Sequence, residues 1–290
     1  MPAAALTLAR VDASLGATAT GIGLAAAGAE EAAAIVAALD EHGVLVFPGQ
    51  HLTEDELVAF ARRLGPLERG VNSQTDPRLS RLANVRRSGA LVDADSEIAR
   101  MLEGNLYWHS DSSFKRITAR WSLLSCIEAP SEGGETQFAD MRAAFEALDP
   151  ARRSRVEGRS ARHSYRWSQR LVGADGWLSE ADWDALPSVE QPLVRVHEAT
   201  GRPSLFIGRH AYAIVGEDPD ESGRFLAELC EWACQPPRVM VHRWRAGDLV
   251  VWDNRCVLHR GRRWPFTQRR IMVRATVAGD APDNEWALPD

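Results

Sequence analysis

A chain of 290 residues can bury a substantial core, and no stretch rich in Pro, Gly and Ser divides this one, so a single domain over 1–290 is expected. Its formal charge of −6 argues against nucleic acid as a partner, because phosphate binding wants a net basic face. Arg10 and Asp12 interrupt the Ala-rich start, and Glu30 and Glu31 the Ala-rich stretch after it, so neither a signal peptide nor a membrane span is expected and the protein reads as cytoplasmic.

Residues 30–39 have helical composition, and Gly43-Val-Leu-Val-Phe47 reads as a short buried strand closed by Pro48-Gly49. Thr53, with Glu56 three residues on, is a capping box before an amphipathic helix that Gly65-Pro66 stops. Residues 68–104 are polar with little periodicity and are expected to form an irregular, mobile lid. Residues 120–127 read as a strand, 130–135 as a Gly-containing connection into Thr136-Gln137-Phe138, and 140–148 as a helix. A second irregular lid segment is expected over about 165–192, which carries Trp167, Trp177 and Trp183. Strands resume at 193–196 and 204–207, a helix covers 222–234, and strands at 239–244, 248–252 and 270–276 follow. This pattern predicts a mainly β protein with peripheral helices, a sandwich or barrel. Cys126, Cys230, Cys234 and Cys256 form no C-x-x-C pair and read as reduced structural thiols.

The chemistry centres on Tyr107-Trp-His109-Ser-Asp111-Ser-Ser-Phe114. In an extended segment His109 and Asp111 project to one face and Ser110 to the other, so an imidazole and a carboxylate can share one metal ion. Alone, the H-x-D triplet more often marks an ordinary hydrogen-bonded pair than a metal site. His259, far along the chain in Trp252-Asp-Asn-Arg-Cys-Val-Leu-His259, would complete a set of two histidines and one carboxylate if the fold brings the segments together. Three protein ligands leave about three positions open on an octahedral ion, as a non-haem iron oxygenase requires. The same donors also make hydrolytic zinc sites.

Three ordered motifs, Tyr107 to Phe114, Pro130 to Phe145 and Asp248 to Arg260, resemble the taurine dioxygenase family of Fe(II)/2-oxoglutarate enzymes, especially its aryloxyalkanoate (2,4-dichlorophenoxyacetate) dioxygenases. The likeness runs from about Leu45 to Thr276. It implies a double-stranded β-helix (jelly roll), Fe(II) held by His109, Asp111 and His259, and 2-oxoglutarate and O2 as co-substrates. Thr136 and Arg270 match positions that hold the far carboxylate of 2-oxoglutarate, where a planar guanidinium suits a carboxylate. Arg274 lies four residues beyond Arg270, so in a strand both face the same way, and it matches a position that binds the substrate's anion. Asn105 matches a position near iron and substrate. Phe206, Arg209 and Tyr212, in and around Gly208-Arg-His-Ala-Tyr212, are candidate substrate-side residues. Trp108 and Trp252 flank the ligand segments as pocket walls or plain core, and His210 reads as a neighbour of the site or a surface residue.

The resemblance further implies decarboxylation of 2-oxoglutarate to succinate and CO2, coupled to hydroxylation of a small anionic substrate. For an aryloxyalkanoate, hydroxylation beside the ether oxygen yields an unstable product that separates into a phenol and an oxo acid. Taurine or another alkylsulfonate is the alternative substrate; taurine enzymes carry a lid histidine before the H-x-D motif, whereas this chain has none between His51 and His109. A zinc hydrolase and a non-catalytic jelly-roll binding module are the readings from other classes. Family members commonly self-associate, so a homo-oligomer is expected.

Overall fold

The computed structural model describes residues 5–72 and 76–289. Fifteen strands and eight α-helices occur among them. The N-terminal third comprises β1 (Thr7–Arg10), β2 (Ala17–Thr20), α1 (Ala29–His42), β3 (Val44–Phe47), α2 (Glu54–Leu64), β4 (Ser80–Ala83) and α3 (Glu97–Gly104). The middle comprises β5 (Trp121–Glu128), β6 (Thr136–Asp140), α4 (Met141–Glu146), α5 (Pro150–Val156), β7 (Ser160–His163), α6 (Tyr165–Arg170), α7 (Glu180–Asp184), β8 (Val189–Pro192), β9 (Val194–His197), β10 (Arg202–Leu205) and β11 (Ala211–Ile214). The chain closes with α8 (Pro219–Ala233), β12 (Val239–His242), β13 (Leu249–Asp253), β14 (Val257–Gly261) and β15 (Ile271–Val277). None of the described helices is long and apolar enough to cross a membrane.

The main sheet runs β1-β2-β3-β13-β5-β15-β4, antiparallel except between β2 and β3. Its strands alternate in side-chain direction and so build two cores. Leu123, Leu249, Val251, Ala275 and Val277 pack outward against Ile35 and Leu39 of α1 and Phe60 and Ala61 of α2. Leu124, Cys126, Val250, Trp252 and Met272 pack inward against Phe138 and Val257 of a second sheet, β12-β6-β14. Smaller sheets β11-β7-β8 and β10-β9 extend that layer, and α4 and α8 cover its outer face. The architecture is the double-stranded β-helix, mainly β with peripheral helices.

The capping box forms as expected: the Thr53 hydroxyl accepts from Glu56 N at 3.2 Å and the Glu56 carboxylate accepts from Thr53 N at 2.8 Å. The two segments expected to be irregular are more ordered than that. Ser80–Ala83 is β4, which pairs with the edge of β15 and satisfies its backbone groups. Ser96, Ser164 and Ser179 cap α3, α6 and α7 by accepting backbone N–H groups three residues on. These helices are too short to show a period in sequence. Of the first lid segment, residues 73–75 lie outside the described residues. All four cysteines are buried and free.

Leu123 is fully buried in β5, between β13 and β15, on the face away from the polar interior. Leu123→Ala should cost about 2–5 kcal/mol of stability through the cavity it leaves; a urea midpoint equal to that of the wild type would show that the outer core does not hold the sheet.

Candidate active site

His109 and His259 sit opposite one another in an isolated antiparallel bridge. His109 N donates to the His259 carbonyl at 3.0 Å and His259 N to the His109 carbonyl at 2.8 Å, and their rings stand 4.1 Å apart. On β14, Val257 and His259 face the sandwich interior while Leu258 faces the outer core, so strand alternation aims the imidazole. Gly208 lies behind the bridge with φ +122°; a Cβ there would stand 3.0 Å from the Trp108 carbonyl and 3.2 Å from the His109 Cα.

Asp111 completes the cluster: its ligand atom and those of the two histidines lie within 4.8 Å of one another, all buried. Its Oδ2 accepts from Ser122 of β5 at 2.7 Å, and its Oδ1 is 2.5 Å from Arg274 Nη1. Asn254 binds the same segment from below, accepting from Asp111 N at 3.2 Å, accepting the Ser110 hydroxyl on its own carbonyl at 2.8 Å, and donating to Ser122 at 2.9 Å. Ser122 and Asn254 were not singled out in the sequence, where a serine in an apolar strand and an asparagine in a turn carry no signal of their own.

The protonation states suit a divalent cation. Burial raises the Asp111 pKa, but the charges of Arg274, His259 and His109 and the Ser122 hydrogen bond outweigh it and bring the group down to about 2. Burial holds His259 at about 4 and puts His109 well below 6.5. His109 Nδ1 is 2.8 Å from the Tyr107 carbonyl, which accepts its proton and leaves Nε2 bare for a metal. At neutral pH the cluster therefore offers two neutral imidazoles and one carboxylate. A second group, His197, Asp253 and Cys256, has metal-like proximity, but its carboxylate is already bound by Arg255 at 2.6 Å and by His197 at 3.1 Å.

Two cavities meet at the cluster. The larger, about 610 Å³, is lined by His109, Asp111 and Arg274 and walled by Phe114, Tyr165 and Trp177. A narrow one beside it is lined by His109, His259, Thr136, Trp252, Arg270 and Arg274. Asn105, the residue closing α3, borders both. Arg209 and His210 line the larger cavity, so His210 is a buried neighbour of the site and not a surface residue.

Three expected substrate-side residues line neither cavity. Trp108 faces the outer core with Arg260 4.5 Å over its ring, because alternation turns it away from His109. Phe206 is fully buried, stacked on His163 and covered by Arg195 at 3.6 Å. Tyr212 stacks on Trp167 at 5.5 Å, with its hydroxyl 3.3 Å from Ser188. Arg274 also differs from expectation, since the residue expected to meet a substrate anion is paired with Asp111.

A jelly roll that buries two neutral histidines and one ionised carboxylate between two cavities defines the mononuclear non-haem metal oxygenase class. Residues 6–276 match the model of the taurine catabolism dioxygenase TauD, TfdA family. The chain is 45% identical to an (S)-phenoxypropionate/alpha-ketoglutarate-dioxygenase of Sphingobium herbicidovorans, over 98% of each chain. It is 46% identical to an alpha-ketoglutarate-dependent 2,4-dichlorophenoxyacetate dioxygenase of Cupriavidus pinatubonensis, over 88% of this chain and 91% of that one. A crystal structure of AAD-2 in complex with Mn(II) and N-oxalylglycine superposes with a TM-score of 0.87 at 35% identity, covering 99% of this chain and 100% of that chain. The chain belongs to the TauD, TfdA family and is an Fe(II)- and 2-oxoglutarate-dependent dioxygenase.

The buried histidines set a pH limit. Burial keeps His163 at about 3 and His259 at about 4, and holds His109 and His210 well below their ordinary value of 6.5. Below pH 6.5 the unfolded chain therefore takes up protons that the folded chain refuses, and stability present above that pH is lost as pH falls toward 4. The urea midpoint of the metal-free protein should drop between pH 7 and pH 5, where most carboxylates stay ionised. An unchanged midpoint would mean that the folded imidazoles are charged.

Proposed function

We propose that the enzyme hydroxylates a small aryloxyalkanoate beside its ether oxygen, so that the product separates into a phenol and an oxo acid while 2-oxoglutarate leaves as succinate and CO2. The named substrates of the two relatives above support this reading, as does a cavity that combines aromatic walls with guanidinium groups over the metal cluster. We further infer a single catalytic domain over 1–290, acting in the cytoplasm as a homo-oligomer on a dissolved substrate rather than on nucleic acid or membrane.

In this reading His109, Asp111 and His259 hold Fe(II), which with 2-oxoglutarate and O2 supplies the oxidising chemistry. The observation that carries the co-substrate role is Arg270. It is buried, burial pulls its guanidinium down to about 10, and no carboxylate among the described residues pairs with it. Its Nε donates to the Gly134 carbonyl at 3.3 Å, and its guanidinium carbon lies 5.1 Å over the Trp264 ring. A buried cation without a counter-ion is costly, and the far carboxylate of 2-oxoglutarate would supply one. Thr136 helps: its hydroxyl oxygen accepts from Trp244 Nε1 at 2.9 Å, which leaves its own proton to donate. Trp252 walls this cavity, with its ring 4.5 Å from that of His259. Asn105 stands where co-substrate and substrate spaces join, and Phe114, Tyr165 and Trp177 offer an apolar face to an aryl group. The substrate's anion is drawn to the guanidinium groups of the larger cavity.

Anaerobic Fe(II) and 2-oxoglutarate should produce a weak visible charge-transfer band, and Asp111→Ala should abolish both the band and turnover. Aryloxyacetates and aryloxypropionates should then drive succinate release; coupling to sulfonates alone, or zinc-dependent hydrolysis without succinate, would overturn the reading. Arg270→Met should raise the KM for 2-oxoglutarate by about two orders of magnitude, the scale of losing one partner of a buried charged pair, while the KM for the aryl substrate changes little.

A further inference from the structure

Around the larger cavity some charges are paired within the chain and some are not. Asp111 holds Arg274 at 2.5 Å, and Glu68 holds Lys115 at 2.8 Å. Arg209 lines the same cavity, and no carboxylate among the described residues pairs with it. Its backbone is fixed by a 2.8 Å hydrogen bond from Arg209 N to the Trp108 carbonyl, directly before the metal-binding His109. Its guanidinium lies between α3 and α6. Nη2 donates to the Ser168 carbonyl at 3.3 Å, and on the other side the group rests against Gly104, where a Cβ would stand 2.4 Å from Nη1. Larger side chains at 104 would occupy the space that the guanidinium now fills.

The groups that would favour the charged arginine are the phenols of Tyr165 and Tyr107. Burial pushes Tyr165 up to about 12, so its phenol is neutral at working pH; its ring lines the cavity with Arg209 and stands 5.8 Å from that of His210. Burial also pulls the Arg209 guanidinium below its ordinary range, the signature of a cation that has given up water without gaining a counter-ion.

We propose that Arg209, which lines the cavity together with Tyr165, is the counter-ion of the substrate's anionic group, and that Gly104 is small to leave the guanidinium its place; this rests on the anionic-substrate reading above. Arg274, already bound to Asp111, then orients the metal-binding carboxylate and contributes less to the substrate's anion. The anion is thereby anchored between α3 and α6, the helices of the two segments that border the cavity, and substrate binding ties those segments to one another.

The test uses the shift that a bound substrate causes in the charge-transfer band of the anaerobic Fe(II)/2-oxoglutarate enzyme, which reports affinity without turnover. Phenoxyacetate, its uncharged methyl ester and an alkylsulfonate are titrated into wild type, Arg209→Gln, Arg209→Lys and Gly104→Ala. Arg209→Gln should weaken binding of the anion about 30-fold or more. It should leave the ester's affinity and the band itself unchanged, and Lys should restore part of the loss. Gly104→Ala, which removes no charge, should shift anion affinity in the same direction by less. An Arg209→Gln enzyme that binds the anion as the wild type does, or that loses acid and ester equally, overturns the assignment. Because both anion classes are titrated, wild-type binding of the sulfonate alone would defeat the aryloxyalkanoate reading, while the response of that sulfonate to Arg209→Gln would still decide the role of Arg209.

Discussion

The reciprocal backbone hydrogen bonds between His109 and His259 are the constraint on which the site depends. They join two remote segments in a single antiparallel pair, so the two imidazoles face one another without any side-chain contact having to find the other. Asp111 follows from the same pairing, since it lies two residues beyond His109 and is fastened from below by Asn254. Asn254 is held in turn by the turn it sits in. Asp253 is bound by Arg255 and by His197, and Trp252 Nε1 donates to the Asn254 side chain at 3.0 Å. The buried His197, Asp253 and Cys256 group is thus a structural knot that positions Asp111 through Asn254.

Electrostatics then separates charges that are paired within the chain from those that are not. Asp253 with Arg255 and Lys115 with Glu68 are complete within the chain, and removing either member would strand a charge. No carboxylate among the described residues pairs with Arg270 or Arg209, which line one cavity each, and His109 lines both. Arginine suits both places because it stays charged under partial burial and meets a carboxylate with two parallel donors. Hydration alone would favour putting such groups outside, so burying each costs stability that a bound anion would offset.

Much of this was legible in the sequence where a short period coincided with chemistry. Alternation aligned His109 with Asp111 and Arg270 with Arg274, and the strands carrying Leu123, Val250 and Met272 were visible from apolar runs with turns at their ends. The same alternation explains why Trp108 fails as a pocket residue, since it must point opposite to His109. Phe206 and Tyr212 lie in and beside the Gly208-to-Tyr212 motif that carries the resemblance, but the turn at Gly208 sends them to different environments. The order of β4, α3, α6 and α7 was hidden for another reason. β4 is four residues long and half polar, and gains its conformation from the edge of β15, a partner nearly two hundred residues away that no local window contains.

One physical arrangement lets a single strand serve both stability and chemistry. In β5, Leu123 enters the helix-backed core while its neighbour Ser122 reaches Asp111 on the opposite face. In β15, Ala275 enters that core while Arg274 meets the same carboxylate. The apolar face can be fully packed against α1 and α2, so the inner face is free to carry hydroxyl, guanidinium and carboxylate groups that would be costly in an undivided core. Position on the strand, more than residue type, therefore decides whether a substitution should be felt first in unfolding or first in metal and substrate binding.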